Sequence, residues 1–83
     1  MNDLLSNLIY HQSYTLSSDT NGYAKTTFRT NQYNLVSASC QGILCVPFNG
    51  GDGYWYIMFV SPATWNKLAN TANKSVSIFF QAS

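Results

Sequence analysis

Residues 53–60 read Gly-Tyr-Trp-Tyr-Ile-Met-Phe-Val, an unbroken apolar and aromatic stretch that begins at a glycine. Successive side chains of a β-strand point to opposite faces, so a strand with one solvated face alternates apolar and polar residues. Both faces of this strand are apolar, with Tyr54, Tyr56, Met58 and Val60 on one side and Trp55, Ile57 and Phe59 on the other. We therefore expect a central strand whose second face is covered by another copy of the chain or by a ligand.

The rest of the chain predicts five more short strands, separated by turn sequences. Asn21-Gly22 is a strong turn signal, because both residues tolerate positive φ, and Gln41-Gly42 is a second turn. The predicted strands cover residues 13–16, 23–30, 33–40, 43–48 and 75–81. Six short strands at this spacing predict a mainly β fold, an antiparallel sandwich or barrel-like domain over residues 13–83.

The alternation within these strands predicts the core. Its expected members are Phe28, Val36, Ala38, Val46, Phe48, Ile57, Phe59, Val76, Ile78 and Phe80.

Residues 1–12 predict a short N-terminal helix or the end of a stalk. Asn2 or Asp3 can cap it, and Leu4, Leu8 and their neighbours follow at helical spacing. The alternatives are an inter-subunit helix, the end of a coiled-coil stalk, and a terminal helix packed on its own domain.

Ser61-Pro62 ends the central strand, since proline cannot donate to a β-ladder. The segment that follows is either one or two helical turns up to Leu68 or an irregular crossover in which Trp65 and Leu68 act as plugs.

Length and charge favour self-association. An 83-residue chain buries only about 60% of its unfolded surface and is marginally stable alone. Charged residues make up 8% of the chain, against about 25% in ordinary soluble domains, and there is no glutamate. Few charges means little repulsion when identical surfaces meet around a symmetry axis. We expect a homo-oligomer, most simply a trimer, although an uncharged secreted domain has the same composition.

Several classes of partner are not favoured. The net charge is +1 without a basic cluster, so we expect no nucleic-acid binding. The sequence has no run of 18 apolar residues, so it predicts no membrane span, and residues 1–9 do not resemble a signal peptide. We therefore expect either a protein that is not secreted by way of a signal peptide or a fragment of a longer protein.

Catalysis and cofactors find little support. His11 is the only histidine, and nothing in the spacing places it beside Cys40 or Cys45. Those two cysteines are interpreted as reduced apolar residues, with a disulfide as the alternative. No metal-ligand set is visible, and we expect no cofactor.

Aromatic residues near turns are the best candidates for binding. Trp and Tyr can stack on sugar rings or anchor a protein contact, although core packing is the competing explanation. The loop at residues 49–53 holds three glycines and leads directly into Tyr54. The candidate binding residues are Asn49, Asp52, Tyr54, Trp55 and Trp65, and the candidate interface residues are Leu4, Leu8, Tyr56 and Met58.

From residue 14 onward the chain resembles the small β-rich terminal domains of bacteriophage tail or head fibre proteins. The stretches concerned are Asn-Gly-Tyr-Ala-Lys-Thr-Thr-Phe, Tyr-Asn-Leu-Val-Ser-Ala-Ser-Cys, Tyr-Trp-Tyr-Ile-Met-Phe-Val and Lys-Ser-Val-Ser-Ile-Phe-Phe-Gln-Ala-Ser. The resemblance implies a trimeric virion module that follows a stalk and contributes to host attachment, and it identifies no receptor-binding residue. The alternative is a free, extracellular carbohydrate- or protein-binding module.

Overall fold

The computed structural model describes residues 8–83, and six β-strands make up most of this range. They are β1 (Tyr10–Leu16), β2 (Tyr23–Arg29), β3 (Tyr33–Ser39), β4 (Leu44–Asn49), β5 (Tyr54–Val60) and β6 (Lys74–Ala82). All pairings between neighbouring strands are antiparallel, and the described residues contain no helix. The mainly β prediction is confirmed.

The strands form two three-stranded sheets, in the orders β1-β6-β3 and β2-β5-β4. A bridge between Cys40 and Ile43, closed by the predicted Gln41-Gly42 turn, connects β3 of the first sheet to β4 of the second. Only β4 and β5 form a hairpin within one sheet, and every other connection passes from one sheet to the other. The two sheets therefore cannot be separated into independent folding units.

The core lies between the central strands of the two sheets. Ile57 and Phe59 of β5 and Val76 and Ile78 of β6 are the largest side chains that solvent does not reach. Ala24, Phe28, Leu35 and Phe80 complete the buried cluster. Burial of each large apolar side chain contributes about 1.5–3 kcal/mol. The predicted core is correct for Phe28 and for the members from β5 and β6, and Ala38 packs partly buried against the cluster.

The prediction for Val36 was wrong, and a β-bulge explains why. The pairing of β3 with β6 shifts between Leu35 and Ser37, so Val36 is an additional residue without a partner. The bulge turns Leu35 and Ala38 toward the core, although simple alternation puts them on opposite faces. Val36 is left 49% exposed.

The predictions for Val46 and Phe48 were also wrong, because β4 has the opposite phase. Cys45 pairs with Phe59 and Pro47 with Ile57, so these two residues share the core-facing side of the sheet. Val46 and Phe48 consequently point outward. β4 is an edge strand, which is where a proline is tolerated within a sheet.

The N-terminal helix is not seen in the described part of the chain, and residues 1–7 of that prediction lie outside it. Strand β1 begins at Tyr10, three residues before the predicted start. Tyr10 pairs with Phe80 and His11 with Phe79, so aromatic contacts across the ladder extend the strand.

The connection between β5 and β6 is an irregular crossover that contains a single α-type turn at residues 61–65 and no helix. Leu68 packs against the core, as predicted for a plug, whereas Trp65 is 74% exposed. Backbone hydrogen bonds join the crossover to the end of β5, from the Leu68 N–H to the Phe59 carbonyl (2.9 Å) and from the Trp65 N–H to the Ser61 carbonyl (2.8 Å).

Gly22 lies at the junction of the β1–β2 turn, β5 and this crossover. Its carbonyl accepts a hydrogen bond from the Phe59 N–H at 2.9 Å. Its φ is +84°, and a Cβ at this position would lie 2.8 Å from the Cβ of Lys67. Both the conformation and the space therefore require glycine.

Replacement of this glycine tests the junction. We expect Gly22→Ala to lower the free energy of unfolding by about 3 kcal/mol, from the positive φ and the overlap with Lys67 together. Gly51→Ala is the matched control, because Gly51 has a φ of +83° and nothing within 4 Å of an added Cβ. It should cost about 1–2 kcal/mol. Urea unfolding measures both, and equal losses would contradict the proposed crowding at Gly22.

Candidate functional site

The outer face of the β2-β5-β4 sheet is the surface that the sequence marked as unusual, because it holds the second apolar side of β5. The strand register defines its members, which are Tyr23, Lys25 and Arg29 of β2, Tyr54, Tyr56, Met58 and Val60 of β5, and Leu44, Val46 and Phe48 of β4. We call this set the outer face. It is apolar or aromatic apart from its two basic residues.

Aromatic side chains of the outer face cover part of the central strand. The Tyr23 and Phe48 rings, from the two strands that flank β5, meet edge to face with centroids 4.9 Å apart. Phe48 also stacks on Tyr56 at 5.7 Å. These contacts close over β5 from both sides, so some of the cover expected from a second chain comes from the domain itself.

Asp52 organises one end of the outer face. Its Oδ2 accepts a hydrogen bond from the Tyr56 hydroxyl at 2.7 Å and lies 3.5 Å from Lys25 Nζ, and its Oδ1 accepts from the Tyr54 N–H at 3.1 Å. The Tyr56 hydroxyl in particular holds the pKa of Asp52 below its usual range, and Asp52 in turn raises the pKa of Tyr56. Lys25 Nζ also lies 4.5 Å from the centroid of the Tyr54 ring, a cation–π contact.

The loop at residues 49–53 is tied down by its own hydrogen bonds. Asn49 Oδ1 accepts from the Gly51 N–H at 2.9 Å, and the Gly50 N–H donates to the Tyr54 carbonyl at 3.0 Å. A Cβ on Gly50 would lie 2.2 Å from the Tyr56 ring. Glycine thus lets the loop backbone approach Tyr56 closely.

The opposite part of the outer face, along β4, has no such cover. Leu44 is 37% exposed and Val46 is 43% exposed, and Met58 beside Val46 is half-buried. No charged residue occurs in β4. We call Leu44, Val46 and Met58 the apolar strip.

The five predicted binding residues do not lie on one surface. Asp52 and Tyr54 are adjacent at one end of the outer face, whereas Asn49 pairs with Trp55 in the β4–β5 register. Trp55 points to the inner side of the sheet, where its Nε1–H donates to the Tyr33 carbonyl at 2.8 Å. Trp65 is in the crossover that follows β5, at the other end of that strand.

The predicted interface residues are also divided. Leu4 lies outside the described residues, and Leu8 is exposed ahead of β1. Met58 belongs to the apolar strip, whereas Tyr56 is engaged by Asp52 and Gly50. Sequence reasoning assigned Val46 and Phe48 to the core and did not single out Leu44 or the Tyr23–Phe48 contact, because β4 is apolar on both faces and only its register against β5 identifies the outer one.

The solvent-facing side of the β1-β6-β3 sheet has a different composition. Its ladder pairs Ser13 with Ser77 and Thr15 with Ser75, and His11 stacks on Phe79 at 4.7 Å. Cys40 and Cys45 are free thiols that pack partly buried against the core. The histidine and the cysteines therefore lie on different sides of this sheet, and the structure does not form a Cys–His pair.

Residues 8–83 contain no cluster of three or more histidine, cysteine or acidic side chains able to hold a metal ion. The same range has no helix with the length and hydrophobicity of a membrane span. Comparison with protein families, curated proteins and solved structures gives no significant match.

The hydrogen bond between Tyr56 and Asp52 can be tested by titration. Since the folded-state pKa of Asp52 is depressed, the ionised carboxylate stabilises the folded protein above the ordinary carboxyl pKa. This stabilisation is lost as the pH falls through the folded-state pKa. Tyr56→Phe removes the main cause, so the Asp52 pKa should rise toward its usual range. Tyr54→Phe is the control and should leave it low. NMR titration of the Asp52 carboxyl carbon measures both, and an unchanged pKa in Tyr56→Phe would refute the assignment.

The thiols give a second test. Burial, with a smaller contribution from Cys40, raises the pKa of Cys45 to about 11. At pH 8 only about one Cys45 in a thousand would be thiolate, so iodoacetamide should label it about a hundredfold more slowly in the folded protein than in urea. A Cys40→Ser variant isolates Cys45 and should keep most of the protection, because burial is the larger cause. Mass spectrometry measures the labelling. Equal rates in the folded and the urea-unfolded protein would contradict the raised pKa of Cys45.

Proposed function

We propose that this chain is a fibre-type virion module that associates with copies of itself, most simply as a trimer, and presents its surface to a host-cell receptor. The observation that supports it is the apolar strip of Leu44, Val46 and Met58 on the surface of the folded domain. Contiguous exposed apolar surface on a small soluble domain is typical of an interaction site. The resemblance to fibre domains supports the trimer and the virion location.

The chemistry of β4 favours a copy of the same chain as the partner. The strand has no charged side chain, so symmetry-related strips meet without like-charge repulsion. Pro47 in this edge strand lacks an N–H and so works against edge-to-edge strand addition. The proposed contact therefore uses the side chains of the sheet face, in the manner of an obligate interface that resembles a divided core.

A second candidate function is a free binding module that uses exposed aromatics. Trp65 favours it, because this side chain is 74% exposed and its backbone adopts a positive φ of 64°. A bulky residue in that conformation is strained, and strain of this kind concentrates at functional sites. The two functions differ in whether the wild-type chain is an oligomer.

Two valines provide a matched test of the self-association. Val46 and Val36 are similarly exposed, at 43% and 49%, and lie on edge strands of different sheets. We expect wild type to sediment as a trimer at micromolar concentration, Val46→Asp to be monomeric and Val36→Asp to remain trimeric. Charge at the centre of a desolvated interface is not tolerated, whereas charge on solvent-exposed surface is.

A monomeric wild type that binds glycans or cells would contradict the fibre-type assembly and favour the free module. Loss of the trimer in Val36→Asp as well as Val46→Asp would show that the apolar strip is not the interface. Circular dichroism and urea unfolding confirm that each variant is folded before its mass is interpreted.

A further inference from the structure

Two adjoining clefts lie around Tyr23, at the end of the outer face near the β1–β2 turn. The larger has a volume of about 440 Å³, and its polar lining includes Thr15, Ser17, Lys25 and Asn73. The smaller, of about 240 Å³, is lined by Phe48, Gly50 and Tyr56. Tyr23 and Asp19 line both clefts.

The shared residues are held in fixed positions. Asp19 Oδ1 accepts hydrogen bonds from the N–H groups of Asn21 (2.8 Å) and Tyr23 (3.0 Å), and within residues 8–83 its Oδ2 makes none. The Tyr23 hydroxyl accepts from Lys67 Nζ at 2.9 Å, and its ring meets Phe48. A carboxylate oxygen and an aromatic ring are thus fixed at the boundary of the two clefts before any ligand binds, which lowers the entropic cost of binding.

We infer that these clefts form a binding site for a neutral, hexose-containing glycan, with Asp19 and Tyr23 as its central contacts. The larger cleft offers hydroxyl, amide, carboxylate and ammonium groups, which supply both donors and acceptors, as sugar hydroxyls require. The smaller cleft adds the Phe48 and Tyr56 rings, against which the apolar face of a sugar can pack. The volumes suit a ligand of one to a few sugar units.

The charges favour a neutral ligand over an anionic one. Asp19 and Lys25 both line the larger cleft, so its two charges oppose each other. A phosphate or carboxylate ligand would meet the Asp19 carboxylate, while Lys25 is already paired with Asp52 and Lys67 with the Tyr23 hydroxyl. This inference rests on the proposed attachment function, for which it names the ligand class and the site. It also places the attachment site in the two clefts, and not at the loop of residues 49–53 or at Trp65.

All residues of the proposed site belong to one chain. Each contact in a trimer would be presented three times, so a millimolar affinity per site is sufficient for attachment through avidity.

The experiment is an NMR titration of ¹⁵N-labelled protein with lactose, maltose and di-N-acetylchitobiose at millimolar concentrations, and with glucose 6-phosphate as the anionic probe. We expect at least one neutral sugar to shift the amide signals of Asp19, Tyr23 and Asn73. Asp19→Asn retains the Oδ1 acceptor of the turn and should weaken binding at least tenfold, as should Tyr23→Leu. Val36→Asp, an exposed change on an edge strand of the other sheet, should bind as wild type does.

Three results would overturn the inference. The first is no shift with any neutral sugar, which would point to a protein receptor. The second is tighter binding of glucose 6-phosphate. The third is binding that Val36→Asp abolishes and Asp19→Asn preserves. Asn73→Ala, at an exposed position, provides a further cleft variant if Tyr23→Leu fails to fold.

Repeating the titration with Val46→Asp separates the two proposals. Sugar binding by a monomeric wild type would contradict assembly and leave the glycan site standing. A stable trimer that binds no sugar would support assembly and contradict the glycan site.

Discussion

Contact between the inner faces of β5 and β6 is the constraint on which the rest of the structure depends. Ile57 and Phe59 on one strand, and Val76 and Ile78 on the other, fill the space between the sheets. β5 and β6 are each the middle strand of their sheet, so the four edge strands are positioned by pairing with one of them. A small domain has no other large apolar cluster to substitute for this one.

Once the inner face of β5 is committed to the core, its outer face determines how the domain meets other molecules. The outer surfaces of the two sheets are unlike, since one carries a ladder of serine and threonine pairs and the other carries aromatics and the apolar strip. Within the second surface, the aromatic contact of Tyr23 with Phe48 separates two regions. One is polar and recessed around Asp19, and the other is flat and apolar along β4. The proposed ligand site and the proposed self-association surface therefore lie in separate regions of the same sheet.

Strand number, turn positions and the central strand could be predicted because each depends on local sequence. The faces of β3 and β4 could not. In β3 the bulge at Val36 arises from pairing with β6, which alternation along one strand does not reveal. In β4 the residues Leu44 to Phe48 are apolar on both faces, so only the register against β5 selects the inner one. For the same reason the prediction favoured residues near one loop, whereas the proposed cleft site combines residues of β1, β2, β4 and β5 with the β1–β2 turn, which lie together only in the folded domain.

The connections that alternate between sheets also determine the order in which this chain can fold. Tyr10 pairs with Phe80, so strand β1 has no partner within its sheet until β6 has been synthesised. β3 waits for the same strand, because β6 lies between them. Pairings this distant in sequence carry a large loop-closure entropy and fold in milliseconds to seconds. Among the strands of residues 8–83, β4 and β5 are the one consecutive pair within a sheet, so their hairpin is the local structure from which folding can begin.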